Sequence, residues 1–181
     1  KSDLIDKIII TCDNDDVINC INKYDNSKIS FIRRTKKTTI RDTKLLPLIS
    51  KIIKSIDPEL KGITLIRYLQ APFVNSESLD EIITTLIMNN VDAAYGAVTI
   101  NSRLFKKTAD GLKPINPNKD ITSEFDQIYM ESNTVNSILN KSILLKRNEN
   151  KSTSCLSISN AESFFINSVR DLKIANFISK N

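Results

Sequence analysis

Residues 63–98 constrain the fold of this chain more than any other stretch of its sequence. The stretch opens with the apolar, β-branched run ITLI, which predicts a strand buried on both faces. After Pro72, apolar residues recur at helical spacing, and residues 91–100 then predict a second strand. A strand, a loop, a helix and a strand form one unit of an α/β sheet. Because ligands of such sheets bind beyond the carboxyl ends of the strands, the loop at residues 70–75 is the first candidate site.

The same alternation of strands and helices occurs upstream of this unit. Residues 7–12 predict a strand that ends in an acidic corner at residues 13–16, which suits the start of a helix. Residues 28–32 predict a short strand, and Thr43 is predicted to cap a helix that ends near Ile56. We therefore predict one α/β domain over all 181 residues, with a mostly parallel sheet.

Residues 101–126 interrupt this alternation. The Asp110-Gly111 pair, between the segments LFKK and LKP, predicts a β-hairpin with a type I′ turn. We interpret the whole segment as an insertion that serves as a dimerisation arm. Strands are predicted again at residues 128–139 and 155–158, and Ser168 is predicted to cap a last helix over residues 169–178.

Two features of the composition exclude whole classes of chemistry. The chain has no histidine, which removes Ser-His-Asp and Cys-His nucleophile systems and any histidine-ligated metal. It has only three glycines, so it contains neither a Walker A loop nor a Rossmann fingerprint. Phosphate chemistry would therefore depend on Lys and Arg side chains, carboxylate-held Mg²⁺ and isolated backbone amides.

The net charge of +5 comes from lysines interspersed with acids, and residues 33–37 (RRTKK) are the one basic cluster. Because aromatic residues do not interleave with this cluster, we predict a solvated loop and no nucleic-acid partner. Cys12, Cys20 and Cys155 are an odd number of thiols without metal-site spacing. No apolar stretch is long enough to span a bilayer, and we predict a cytoplasmic protein with reduced thiols and no membrane partner.

Five segments, taken in order, carry a resemblance to a known family: IIITCDN at residues 8–14, FIRR at 31–34, LQAP at 69–72, YMESN at 129–133 and AESFFINSVRDLKIA at 161–175. This ordered set resembles the acylneuraminate cytidylyltransferases, which activate sialic acids and related 2-keto-3-deoxy sugar acids as CMP-sugars. The resemblance implies a three-layer α/β fold of the nucleotide-diphospho-sugar-transferase type, in a homodimer. It also implies transfer of CMP from CTP to a nonulosonic acid with release of pyrophosphate, assisted by Mg²⁺.

The resemblance also implies roles for individual residues. Those implied for nucleotide binding are Asp13, Arg33 and Arg34. Those implied for sugar-acid binding are Gln70, Tyr129, Glu131 and Asn133. Those implied for the metal are Asn167 and Asp171, and no catalytic residue is assigned. Structural roles compete with each of these: helix capping for Asp13 and Asp171, a solvated loop for the arginines, a loop-tying role for Gln70 and an ordinary edge strand for residues 129–133.

The chain departs from the family pattern at the FIRR segment, which lacks the family's proline, and at two further places. The family's Asp-x-Asp metal pair aligns with Phe165 and Asn167, and phenylalanine cannot ligate Mg²⁺. The family's first strand and its phosphate-binding loop would precede Lys1. These departures keep open a second interpretation, a catalytically inactive relative that acts as a binding or dimerisation module. A glycosyltransferase of related fold would need an Asp-x-Asp in mid-chain, which is not present.

Overall fold

The computed structural model describes residues 2–24, 27–34, 45–100, 102, 104–115, 128–144 and 152–180. Its strands are β1 (Ile8–Cys12), β2 (Ile29–Arg33), β3 (Ile63–Arg67), β4 (Ala93–Ile100), β5 (Phe105–Thr108), β6 (Gly111–Pro114), β7 (Ile128–Leu139) and β8 (Thr153–Ser157). Its helices are α1 (Asp15–Ile21), α2 (Leu45–Ile56), α3 (Ser76–Met88), α4 (Asn140–Leu144) and α5 (Val169–Ile178).

The main sheet has four strands in the order β3-β7-β4-β8. Strand β7 is antiparallel to both β3 and β4, whereas β8 is parallel to β4. Three of the four strands therefore run in the same direction. Strands β1 and β2 form a separate parallel pair, and β5 pairs with β6 as a hairpin. The predicted mostly parallel α/β sheet is confirmed.

Helices cover both faces of the main sheet. Ile82 and Leu86 of α3 pack in one buried cluster with Ala94, whereas Ile53 of α2 packs in a second cluster with Ala93. Because successive residues of a strand point to opposite faces, the two helices lie on opposite sides of β4. This arrangement confirms the predicted three layers.

One prediction about burial was wrong. Strand β3 was expected to be buried on both faces, but Ile63 to Ile66 are only partly buried and Arg67 is exposed. The reason is its position, since β3 pairs with β7 alone among the described strands. An edge position leaves side chains of a strand partly open to solvent even when its sequence is continuously apolar.

Side-chain caps begin three of the helices, and those of α3 and α5 lie where the sequence predicts them. The Asn75 side chain accepts from the Ser78 amide at 2.9 Å, and Ser168 accepts from the Asp171 amide at 3.2 Å. At α1 the capping role considered for Asp13 is wrong, because the cap is Asn14, whose side chain accepts from the Asp16 amide at 2.7 Å. Asp15 lies in the first turn, where its charge favours the helix dipole. Thr43, the predicted cap of α2, lies outside the described residues.

The predicted hairpin is present, but its turn differs from the prediction. Ala109 and Asp110 connect the strands, and the positive φ of 115° falls one residue later, at Gly111. Neither connecting residue has the positive φ that a type I′ turn requires. Glycine is tolerated at this left-handed position because it has no Cβ. Residues 101, 103 and 116–126 of the predicted arm lie outside the described residues.

The three thiols, Cys12, Cys20 and Cys155, are all free. None of the described helices combines the length and the apolar character that crossing a membrane requires. The cytoplasmic location stays a prediction.

Candidate functional site

Two loops meet beyond the carboxyl end of β3. One is the β3 loop, residues 68–75, and the other is the β8 loop, residues 158–168. The Ile166 amide donates to the Gln70 carbonyl at 2.9 Å, and the rings of Tyr68 and Phe165 meet edge to face at 5.9 Å. Because β3 and β8 lie at opposite ends of the sheet order, the β8 loop must cross the carboxyl edge of the sheet to make these contacts.

Glu162 fixes the β8 loop to the start of α3. Glu162 is 9% exposed, and its carboxylate accepts hydrogen bonds from the hydroxyls of Ser78 and Ser159. Burial alone would raise the pKa of Glu162, but the hydrogen bonds from Ser78 and Ser159 outweigh it and lower the pKa. Ser78 lies in the first turn of α3, where a negative charge is favoured. The ionised carboxylate therefore holds the β8 loop against the helix that follows the β3 loop.

A bulge in β7 brings a third segment to the same edge. Tyr95 pairs with Asn136, but Ala97 pairs with Glu131, so β7 has extra residues between these two pairs. Asn133 lies within the bulge with a left-handed φ of 56°. Arg67, the last residue of β3, pairs with Val135. The bulge therefore lies just past the carboxyl end of β3, on the same edge of the sheet as the β3 loop.

An open depression lies on the face of the sheet that α2 covers. It has a volume of about 250 Å³ and is lined by Tyr95, Ala97, Tyr129, Glu131, Thr153, Ser154 and Cys155. Glu131 is the one charged residue in this lining. Burial, together with the nearby Glu131 charge, raises the pKa of Tyr95. The surroundings therefore favour a hydrogen-bond donor or a cation over an anion.

Asn136 of β7 contacts Glu131 beside the depression. The Asn136 side-chain amide donates to the Glu131 carboxylate at 3.4 Å. The carbonyl oxygen of the same side chain is buried and has no hydrogen-bond partner within the described residues. A buried acceptor without a donor is unfavourable by about 1–3 kcal/mol. Asn136 does not itself line the depression, so Glu131 is the charged acceptor that the lining offers.

The residues implied for nucleotide binding lie at the carboxyl ends of β1 and β2. The Arg33 guanidinium pairs with the Asp15 carboxylate at 2.8 Å, and both side chains are largely exposed. The Arg34 amide donates to the Cys12 carbonyl at 2.9 Å, which places Asp13 and Arg34 at the same corner. Exposed ion pairs contribute little to stability, so the pairing with Asp15 leaves Arg33 able to exchange partners.

Asn167 and Asp171 fit a helix cap and do not fit a magnesium site. The Asp171 carboxylate accepts from the Asn167 amide at 3.0 Å and from the Ser168 hydroxyl at 2.9 Å. These hydrogen bonds lower the pKa of Asp171, and the bond from Ser168 contributes most. The carboxylate thus compensates the positive end of α5, where a cation is disfavoured. Phe165, which aligns with the other metal position, packs with the core.

The described residues contain no group of three or more His, Cys, Asp or Glu side chains placed to hold a metal ion. The use of Mg²⁺ stays a prediction. Its implied ligands, Asn167 and Asp171, are accounted for by capping.

The structure thus divides the candidate residues into three groups. Gln70, Asn133 and Asn167 belong to segments that converge on one edge of the sheet, and Asp171 adjoins them through its hydrogen bond from Asn167. Tyr129 and Glu131 line the depression on the sheet face. Asp13, Arg33 and Arg34 lie at the corner of the separate β1–β2 pair.

Sequence reasoning missed Glu162 and Tyr95. For Glu162 a signal existed, because Ser159 and Glu162 have the S-x-x-E spacing of a capping box, and their side chains bond each other's backbone amides at 3.2 Å. No local signal identifies Tyr95, because it meets Glu131 only through the pairing of β4 with β7.

No protein-family model and no curated protein matches this chain. Solved structures do match it in fold. The 4-diphosphocytidyl-2C-methyl-D-erythritol synthase of Anaerococcus prevotii is 16% identical, with a TM-score of 0.68 over 97% of this chain and 79% of that protein. The Francisella tularensis 2-C-methyl-D-erythritol 4-phosphate cytidylyltransferase is 14% identical, with a TM-score of 0.62 over 98% and 82%.

A further 4-diphosphocytidyl-2C-methyl-D-erythritol synthase is 10% identical, with a TM-score of 0.65 over 98% of this chain and 84% of that protein. Identities this low show the fold alone. They confirm the predicted fold class, a three-layer α/β fold of the nucleotide-diphospho-sugar-transferase type. They do not show membership of the acylneuraminate cytidylyltransferases.

Proposed function

We propose that this chain is a nucleotidyltransferase that transfers CMP from CTP to an acceptor. The observation that carries the proposal is the fold, which the chain shares with the 2-C-methyl-D-erythritol 4-phosphate cytidylyltransferase of Francisella tularensis. The site adds support, because the β3 loop, the β8 loop and the β7 bulge gather at the carboxyl edge of the sheet. Ligands of open α/β sheets bind at that edge.

For the acceptor we propose a 2-keto-3-deoxy sugar acid, such as a nonulosonic acid, because the ordered sequence segments favour it. The oxygen of the anomeric hydroxyl would form a bond to the α-phosphorus of CTP. The bond from that phosphorus to the oxygen bridging to the β-phosphorus would break, pyrophosphate would leave, and the hydroxyl proton would pass to solvent. Such a reaction depends mainly on positioning and on neutralising phosphate charge, and it needs no histidine.

Gln70 is proposed to bind the sugar acid, since its amide offers both donors and an acceptor from an exposed loop at the end of β3. Asn133 would contribute a second amide from the β7 bulge. Tyr129 and Glu131 would face hydroxyl groups of the sugar, because the Glu131 carboxylate would repel the carboxylate of the acid. Arg33 and Arg34 would meet the phosphates, for which the planar guanidinium is well suited, and Asp13 would shape that corner.

The competing proposal is an inactive relative that binds ligands or forms a dimer without nucleotide chemistry. Two observations favour it. Phe165 packs against the core at a position that aligns with the family's metal pair, and the Asp171 carboxylate is engaged in the cap of α5. Under this proposal the fold would be kept while the phosphoryl chemistry is lost.

The test is a pyrophosphate-release assay with CTP and Mg²⁺. The acceptors are a panel of nonulosonic acids and, separately, 2-C-methyl-D-erythritol 4-phosphate. We expect CTP-dependent release with a sugar acid. We also expect Gln70→Ala to lower kcat/KM for that acid about tenfold, as loss of one hydrogen-bonding group predicts. Leu69→Ala, at the exposed neighbouring position, is the matched control and should retain activity.

Each outcome distinguishes between the proposals. Release with the erythritol phosphate alone would reject the acceptor class and retain CMP transfer. Binding of CTP without release under any condition would support the inactive relative. Neither binding of CTP nor release of pyrophosphate would overturn CMP transfer and would leave a relative that acts only as a dimerisation module.

A further inference from the structure

Arg67 places a positive charge at the carboxyl edge of the sheet, at the point where β3 ends. Its guanidinium donates to the Ala71 carbonyl oxygen at 3.0 Å, and the Ala71 amide donates to the Tyr68 carbonyl oxygen at 3.1 Å. These two hydrogen bonds close residues 67–71 into a turn, and Gln70 lies within that turn. The guanidinium of Arg67 and the side-chain amide of Gln70 therefore belong to one compact segment.

No carboxylate compensates the charge of Arg67 within the part of the chain that the structure describes. Among the described residues, the Ala71 carbonyl is the one hydrogen-bond acceptor of the guanidinium, and no ion pair includes Arg67. By contrast, Arg33 pairs with Asp15 at 2.8 Å. Burial lowers the pKa of Arg67, and no neighbouring charge opposes this shift. Because a partly desolvated cation without a counter-charge is unfavourable, these surroundings favour the binding of an anion.

The β7 bulge adjoins this turn. Arg67 pairs with Val135 of β7, and Asn133, with its left-handed backbone, lies two residues before Val135. Arg67 is the one charged side chain among residues 67–71 of the turn and residues 132–135 of the bulge. Gln70 and Asn133 are neutral amides that offer both donors and acceptors, which suits the hydroxyl groups of a sugar. The turn and the bulge together therefore present one cation between two amides.

The carboxylate of a sugar acid is the anion that still lacks a cation. Gln70 and Asn133 carry no charge, and Glu131 would repel the acid group. The arginines proposed to meet the phosphates, Arg33 and Arg34, lie at the corner of the separate β1–β2 pair. A planar guanidinium can bind both oxygens of a carboxylate through two parallel hydrogen bonds. At the end of β3, such a pair would compensate the charges of both groups.

We propose that Arg67 binds the carboxylate of the acceptor, with Gln70 and Asn133 on the adjoining hydroxyl groups. The identity of this ligand, a sugar acid, rests on the proposed function. The guanidinium has five N–H groups, so its bond to the Ala71 carbonyl leaves donors for the ligand. Arg67 thereby makes the site selective for an acid over a neutral analogue of the same shape.

The test is titration calorimetry of the full chain with each nonulosonic acid of the panel and with the carboxamide of the same acid. The titrations are made with and without CDP, which occupies a nucleotide site but has no pyrophosphate to release. Wild type should bind at least one acid, and should bind its carboxamide at least about tenfold more weakly, because the charge-assisted pair is lost.

Arg67→Gln should weaken binding of the acid at least about tenfold and should bind acid and carboxamide within about twofold of each other. Arg67→Lys keeps the charge but loses the planar fork, so its affinity for the acid should lie between those of wild type and Arg67→Gln. Arg170→Gln makes the same chemical change at an exposed position of α5. It is the matched control and should leave both affinities unchanged. Circular dichroism and thermal unfolding check that each variant is folded.

Equal losses for acid and carboxamide in Arg67→Gln would mean that Arg67 only holds the turn, and would overturn the proposal. A wild type that binds no acid, or that binds the carboxamide as tightly as the acid, would also overturn it. Loss of affinity for CTP in Arg67→Gln, with binding of the acid unchanged, would assign Arg67 to a phosphate instead of the carboxylate.

The titrations also separate this proposal from CMP transfer, because they need no turnover. Binding of an acid with the expected losses, but without release of pyrophosphate, would support the role of Arg67 and reject CMP transfer. Release of pyrophosphate with a sugar acid, but without these losses, would support CMP transfer and reject the role of Arg67.

Discussion

Single residues near the carboxyl edge of the sheet hold the loops of the candidate site in position. Glu162 is the clearest example, because one buried carboxylate accepts hydrogen bonds from α3 and from its own loop. Such charge-assisted bonds are stronger than bonds between neutral groups. Gly96 is a second example, because its carbonyl accepts a hydrogen bond from the Ser132 hydroxyl at 2.9 Å and so anchors the β7 bulge.

The first prediction concerns Gly96. A Cβ at this position would lie 2.9 Å from Cγ1 of Val135 and 3.2 Å from the Val135 carbonyl oxygen, which belongs to the backbone of β7. Because that backbone pairs with β3 as well, it has little room to move. We expect Gly96→Ala to lower the free energy of unfolding by about 1–3 kcal/mol, measured by urea denaturation.

The matched control for Gly96→Ala is Ser157→Ala, an exposed position on β8. This substitution should change stability by less than about 0.5 kcal/mol. Equal stabilities of wild type and Gly96→Ala would contradict the close approach of β4 and β7.

Among the elements, α3 links the core to the candidate site. Its first turn carries Ser78, which bonds Glu162, and its cap is Asn75 at the end of the β3 loop. Its apolar stripe packs against the sheet through Ile82 and Leu86. The position of the β3 loop therefore depends on the packing of α3 against the sheet.

The second prediction compares two isoleucines of α3. Ile82 is 0% exposed, whereas Ile87, five residues later, is 58% exposed. Ile82→Ala should lower the free energy of unfolding by about 2–5 kcal/mol, because it leaves a cavity in the core. Ile87→Ala makes the same chemical change on the exposed side and should alter stability by less than about 0.5 kcal/mol. Similar losses for both variants would show that the helix does not pack as described.

At the scale of the whole molecule, ionised carboxylates join segments that are far apart in sequence. Asp92 accepts hydrogen bonds from the hydroxyls of Ser142 at 2.5 Å and Ser152 at 3.2 Å, and so connects β4, α4 and β8. The bond from Ser142 contributes most to lowering the pKa of Asp92. Glu162 connects α3 and the β8 loop in the same way.

The third prediction is the pH dependence of stability. The pKa values of Asp92 and Glu162 are lower in the folded chain than their ordinary values of 3.8 and 4.5. The unfolded chain therefore binds protons first as the pH falls. The stability from these two groups is complete at neutral pH and is lost progressively below about pH 5. Urea denaturation at a series of pH values should show this decline.

Substitution of Asp92 tests whether this carboxylate causes part of the loss of stability at low pH. Asp92→Asn should be less stable than wild type at pH 7 and should show a smaller decline between about pH 5 and pH 3, since one titrating group is gone. Asp110→Asn, on the exposed hairpin, should retain the full decline. An unchanged slope in Asp92→Asn would remove Asp92 as a source of the acid sensitivity.

Local sequence signals determined most of the elements and their ends. Apolar periodicity predicted α3 and α5, and the caps at Asn75 and Ser168 lie where side-chain oxygens precede those helices. These signals act within one or two turns of the chain, so they can be read without knowing the fold. The β3 loop, which carries Gln70, was likewise predicted from a strand that is followed by a proline and a helix. The Asp171 cap followed from its place in the first turn of α5.

Tertiary structure alone decided the order of the strands, and with it the edge position of β3, the depression around Glu131 and the contact between the β3 and β8 loops. Ser78 and Glu162 are 84 residues apart, and Tyr95 meets Glu131 only because β4 pairs with β7 across a bulge. Strand pairing is selected by how whole apolar faces pack together, which no local propensity specifies. The sequence by itself therefore determined the parts and their order along the chain, and packing between distant parts decided which side chains meet.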